Sequence, residues 1–155
     1  MPYTTRDLLE ALRSARKFFL RHVDGLTDEQ WAYKPYSECK SPLETVAHLI
    51  ADDRCALDCL RTGEEPDYAA YDVPVTDRDA LLADLAGSHE ALCAFVAEQY
   101  GDAPLDREVC LYGAARKLGD LTYLVSEDYY HAGQVAFVRM ATDPGWNYYE
   151  AVYGA

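Results

Sequence analysis

The sequence predicts an all-α fold, a four-helix bundle with long crossover connections. Two observations carry that prediction: apolar residues recur at helical spacing in four stretches, and capping signals open those stretches. A third shapes the topology. Two of the three connections exceed the roughly 2 to 8 residues of simple bundles, which disfavours up-down-up-down order. At 155 residues the chain is expected to form one domain over residues 1–155, long enough to bury a core without disulfide or metal staples. It is half hydrophobic and 26% charged, a globular rather than a disordered composition.

The first helix is expected over residues 5–22, where Leu8, Leu9, Leu12, Ala15, Phe19 and Leu20 form one stripe. A short helical turn follows at Thr27, where Thr-Asp-Glu-Gln matches a capping box and leads into Trp31. The second helix has the clearest start, with Ser41 as N-cap, Pro42 at the first helical position and Glu44 as the reciprocal cap, and it should end near Gly63. Residues 64–75, with Pro66 and Pro74, read as a long connection. Thr76 followed by Asp79 is expected to cap the third helix, which continues through Leu81, Leu82, Leu85, Leu92 and Val96 to Gly101. Gly87 inside it suggests close packing or a small bend, because glycine costs about 1 kcal/mol there relative to alanine. Residues 102–119 form a second irregular connection in which 108–112 could be extended. Asp120 is then expected to cap a fourth helix that reaches Met140, before the Asp143-Pro144-Gly145 break.

The formal net charge is −13 at pH 7. It argues against nucleic acid or an anionic membrane surface as a partner, since both repel an acidic protein. No basic-then-apolar segment opens the chain and no run approaches the roughly 18 apolar residues of a membrane span, so the expected location is the cytoplasm. Five cysteines lack CxxC spacing and fit reduced, buried thiols better than a disulfide framework. No nucleophile elbow, phosphate-binding glycine loop or zinc-finger spacing occurs.

Glu127 and His131 are four residues apart, which on a helix stacks a carboxylate and an imidazole on one face. Two readings compete: half of a divalent-metal site, or a structural ion pair. Leu124, Val135 and Val138 lie at i−3, i+8 and i+11 from Glu127, so the pair belongs beside the buried stripe, where a lone carboxylate calls for a cation. His48, within Thr45-Val46-Ala47-His48-Leu49-Ile50, reads either as a core histidine or as the third ligand. Asp52, one turn on, could orient His48, join the site or point to solvent. Gln134 either orients His131 or packs. His22 fits a partner for a helix C-terminus, His89 a solvent-facing position, and Gly133 a close helix approach. The aromatic tail of Trp146, Tyr148, Tyr149 and Tyr153 fits packing onto the bundle, with a pocket wall or a homodimer contact as alternatives.

Val46-Ala47-His48-Leu49 on one helix, followed about 80 residues later by Glu127-x-x-x-His131-x-Gly133-Gln134, resembles the DinB-like metal-binding four-helix-bundle family. Trp31 and the Lys34-Pro35 stretch add weaker agreement. The resemblance implies up-down-down-up topology and a divalent ion held by His48, Glu127 and His131. Many members carry histidine at both last-helix positions. Glu127 departs from that pattern and is similar to the mycothiol-dependent isomerase branch, in which a glutamate also occurs. A carboxylate hardens the site, which suits zinc or nickel first and iron or manganese next. The implied chemistry is thiol-dependent S-transfer or isomerisation of a small-molecule electrophile, with a low-molecular-weight thiol such as mycothiol or bacillithiol as co-substrate. The alternative is a non-catalytic, stress-associated metal-binding bundle acting through a pocket or a dimer surface.

Overall fold

In the structure, a computed structural model that describes residues 3–154, all four long helices form. They are α1 (Thr5–Val23), α3 (Pro42–Thr62), α4 (Arg78–Tyr100) and α5 (Thr122–Thr142), with the short α2 (Asp28–Ala32) at the Thr27 capping box. The chain is mostly helical, and its one sheet among the described residues is a hairpin of β1 (Glu108–Leu111) and β2 (Ala114–Lys117). The extended stretch expected at 108–112 is therefore paired, antiparallel, with Glu108 opposite Lys117 and Leu111 opposite Ala114.

Two starts differ from expectation. The α4 cap is Asp77 rather than Thr76, its carboxylate accepting the Ala80 N–H at 3.0 Å, because a carboxylate one residue later reaches the free amide. Asp120 caps the tight turn Leu118–Leu121, accepting the Lys117 N–H at 3.2 Å, and α5 begins after it. Gly87 and Gly133 have open space where a Cβ would project, so neither serves close packing.

Two apolar clusters make the core. In one, Leu8, Leu9 and Leu12 of α1 meet Cys55–Leu60 of α3, Leu92 and Val96 of α4, Leu124 of α5, and Val109 and Leu111 of the hairpin. In the other, Phe19 and Val23 of α1 meet Val46, Ala47, Leu49 and Ile50 of α3, Leu81 and Leu85 of α4, and Ala132 and Val135 of α5. The start of α1 thus lies with the ends of α3 and α4, and its end with their starts. Contrary to the sequence expectation, α4 is long and apolar enough by composition to cross a membrane, the one such helix among the described residues. Its Leu81, Leu85, Leu92, Cys93 and Val96 instead face the core.

Between the clusters lies a buried polar knot drawn from all four long helices. Arg16 of α1 grips Asp53 of α3 through two nitrogens, at 3.0 and 3.2 Å, and donates to Asp128 of α5 at 2.9 Å. Ser88 of α4 donates to Asp53 at 3.0 Å, and His89 Nδ1 sits 3.8 Å from the same carboxylate. His89 is thus buried, not solvent-facing, because Asp53 gives its charge a partner. Burial opposes the charged ring most strongly, but Asp53 and Cys93 together outweigh it and push His89 up to about 9.

His22 is also buried, its Nδ1 2.8 Å from the Phe18 carbonyl, and burial lowers its pKa. A neutral ring does not serve as the helix's cationic partner. Arg139 of α5 takes that role, donating to the carbonyls of His22 and Asp24 at the end of α1. The tail packs on α1: Val152 is buried, its carbonyl accepts from Arg21, and Tyr153 lies against Phe18. All five thiols are free; Cys55, Cys59 and Cys93 are buried as expected, but Cys110 is exposed on the outward face of β1 and Cys39, in a connection, is half-buried.

Candidate metal centre

The reciprocal cap at Ser41 sets where α3 begins. The Ser41 hydroxyl accepts the Glu44 N–H at 3.2 Å and the Glu44 carboxylate accepts the Ser41 N–H at 2.7 Å. From that start His48 and Asp52 fall one turn apart on the edge of α3 that faces α5. On α5 the buried residues Leu124, Ala132 and Val135 turn Glu127 and His131 toward the same line. Helical periodicity on two elements therefore brings together side chains 79 and 83 positions apart.

One ligand atom from each of His48, Glu127 and His131 lies within 4.8 Å of the others. The Glu127 Oε2 atom is 3.6 Å from His48 Nε2 and 3.4 Å from His131 Nε2. Donors about 2.0–2.1 Å from a tetrahedral ion stand roughly 3.3 Å from one another, so these gaps suit a shared cation. The two imidazole rings meet edge to face with centroids 5.0 Å apart.

His131 gives the sharpest test of fit. Its Nδ1 lies 2.7 Å from Gln134 Oε1, which as an acceptor places the ring proton on Nδ1 and leaves the Nε2 lone pair free. That Nε2 atom is buried without a hydrogen-bond partner. A buried polar atom left unpaired costs about 1–3 kcal/mol, and a divalent ion would satisfy it. Burial also lowers the His131 pKa, a trend the Gln134 contact opposes and the His48 charge reinforces, so the ring is poised as a neutral donor. The residues present fit a divalent metal.

Asp52 does not point to solvent. Its Oδ2 lies 3.3 Å from His48 Nε2, the same nitrogen that Glu127 approaches. Burial pushes its carboxyl up to about 6, with His48 opposing and Glu127 adding to the rise. Beyond Asp52 is a cavity of about 340 Å³ walled by Tyr68, Tyr112, Arg116 and Tyr123. The hydroxyls of Tyr112 and Tyr123 bond to each other and tie the hairpin to α5, although Tyr112 adopts φ +54°, a left-handed conformation that is costly for a side chain with a Cβ. His48 itself lines a separate cavity of about 610 Å³ together with Lys40, Glu44 and residues 72–75.

The Arg16 knot escaped the sequence reading. Its signal was a charge inside an apolar stripe, Arg16 between Leu12 and Phe19, whose partners lie 37 and 112 positions away. Within it Cys93 Sγ, 3.7 Å from His89 Nε2, and Asp53 follow the order of a thiol–imidazole–carboxylate relay. Cys93 is fully buried, so no electrophile reaches it.

Neither the curated proteins nor the solved structures include a match to this chain. The family model described as the DinB superfamily matches residues 11–135, a span that holds most of α1, all of α3 and α4, the first part of α5 and all three converging donors. With His48, Glu127 and His131 inside that match, the chain belongs to the DinB superfamily.

Proposed function

We propose that the protein is a divalent-metal-dependent enzyme, with His48, Glu127 and His131 as ligands, that transfers a thiol to a small electrophile or isomerises it. The observation that carries this reading is the buried, unpartnered Nε2 of His131, aimed at two further donors and held by Gln134. Zinc or nickel suits the two-imidazole, one-carboxylate set first, and iron or manganese next. When bound, the ion supplies Lewis acidity that lowers the pKa of a coordinated water or stabilises a thiolate. The thiol comes from a low-molecular-weight co-substrate such as mycothiol or bacillithiol, because none of the five cysteines is among the three donors.

Within this reading the chain's residues hold and orient. Gln134 keeps the His131 proton on Nδ1, Glu127 supplies the negative charge, and the cavity lined by His48 and the one lined by Asp52 leave room for thiol and electrophile. The order of contacts in the two core clusters supports an up-down-down-up bundle over one domain, residues 1–155. The acidic charge supports a cytoplasmic protein without nucleic-acid or membrane partners, and the exposed rings of Tyr149 and Tyr153 offer a homodimer contact.

One observation favours a second reading. Asp52 lies 3.3 Å from His48 Nε2 outside the three-donor group, and a turn of its carboxylate toward Glu127 and His131 would complete a closed four-donor shell, which marks a structural ion in a non-catalytic bundle. Metal analysis of protein purified without a histidine tag should find about one divalent ion per chain, lost in His48→Ala and His131→Ala. Unchanged metal content in both variants would remove the site. Turnover of an electrophile with mycothiol, bacillithiol or glutathione, abolished by chelation, separates the enzyme from the structural reading, which predicts bound metal with no turnover.

A further inference from the structure

The α5 face next to the candidate metal site carries an apolar stripe that the core does not use. Tyr130 and Phe137 are 63% and 66% exposed, and with Gln134 and Ala141 they recur along one side of the helix, beside the buried Val138. Opposite them run residues 35–40, whose Tyr36 is 72% exposed. Together they wall a groove of about 460 Å³, within the size of small-molecule sites.

Two features tie this groove to the metal centre. Gln134 lines it while bonding His131, and the Tyr130 ring stands 5.2 Å from the His131 ring. Lys40 lines both this groove and the cavity that holds His48. It is the one charged residue in the groove's lining, and it has no ion pair among the described residues although the chain carries 27 acidic side chains. An unpaired cation at the end of an apolar channel complements a ligand with an apolar body and an anionic head. A second copy of this chain fits less well, because the groove is concave and a partner of net charge −13 adds repulsion.

We infer that this groove binds a small amphipathic anion, its aryl or alkyl body along Tyr36, Tyr130 and Phe137 and its anionic head on Lys40. The inference rests on the proposed metal chemistry only for what then happens at the ion. It names the electrophile's class: an apolar carboxylate or comparable anion rather than a neutral or cationic molecule.

Calorimetric titration of the zinc-loaded protein with 4-phenylbutyrate, 4-phenylbutan-1-ol and 4-phenylbutylamine tests it. The acid should bind about tenfold more tightly than the alcohol, and the amine more weakly still. Lys40→Gln should bring acid and alcohol to equal affinity, while Phe137→Ala should weaken both at least threefold. His48→Ala should keep acid binding within about threefold, so the groove stands even where metal analysis removes the metal site. Three outcomes overturn the inference: equal binding of acid and amine, acid binding lost in His48→Ala but indifferent to Lys40→Gln and Phe137→Ala, or a dimer that Phe137→Ala splits without any acid binding. The second outcome would mean that the carboxylate is held by zinc alone.

Discussion

Gln134 contributes no donor to the metal centre, yet it decides which nitrogen of His131 is free to be one. Without its carbonyl oxygen 2.7 Å from Nδ1, the ring could carry its proton on either nitrogen or rotate. Gln134→Leu is therefore expected to lower zinc affinity about 10- to 100-fold, read by competition with a chromogenic chelator, while a saturating metal concentration still loads about one ion per chain. Equal affinities in the two proteins would reduce Gln134 to packing. The shared face of Glu127 and His131 was legible because helical spacing and neighbouring apolar residues are local properties, while His48 joined them only through the family resemblance. The position of Asp52 was not legible, since whether a residue at the edge of a stripe turns inward depends on the partner helix.

At the level of elements, the helix starts were readable wherever a side chain caps its own helix, as Ser41 and Thr27 do. They slipped by one or two residues where neighbouring polar side chains compete for one free amide, as around Thr76 and Asp77, or where a tight turn precedes the helix, as at Asp120. The glycines divide in the same way. Gly63 ends α3 at φ +74°, and a Cβ there would meet Cys110 Sγ at 3.0 Å, whereas Gly87 lies on an exposed helical face with nothing near it. Gly63→Ala should destabilise by about 1–2 kcal/mol and Gly87→Ala should stabilise by up to about 1 kcal/mol, both measured by urea unfolding. A destabilising Gly87→Ala would show a demand at that position that its surroundings do not reveal.

The molecule as a whole is joined by contacts that no local pattern announces. Arg16, Asp53, His89 and Asp128 come from four helices, and only the assembled fold shows that their charges meet. His89 faces Asp53 from α3, Arg16 from α1, Asp128 from α5 and Cys93 on its own helix. With its folded pKa raised to about 9 above an ordinary value of 6.5, protonated His89 stabilises the fold fully below pH 6.5, and that contribution is lost as pH rises through 9. The unfolding free energy from urea titrations should fall over that window by an amount on the order of 3 kcal/mol, and His89→Gln should remove most of the slope. A parallel slope in both proteins would place the titration elsewhere.

The residues that Arg16 holds, Asp53 and Asp128, are the immediate neighbours of Asp52 and Glu127. Successive helical residues point about 100° apart, so clamping Asp53 and Asp128 toward the interior fixes how far α3 and α5 can roll about their own axes. Stability and alignment can then be taken apart. Replacing Arg16, Asp53 and Asp128 together by Met, Leu and Leu should leave the urea midpoint unchanged or higher above pH 9, where His89 is neutral and no longer depends on Asp53, since buried ion clusters rarely outperform apolar packing. The same triple variant should bind zinc more weakly, because apolar side chains slide past one another where a forked ion pair does not. In that sense Arg16 acts as an indexing pin, keeping three donors on two independent rods pointed at a common centre.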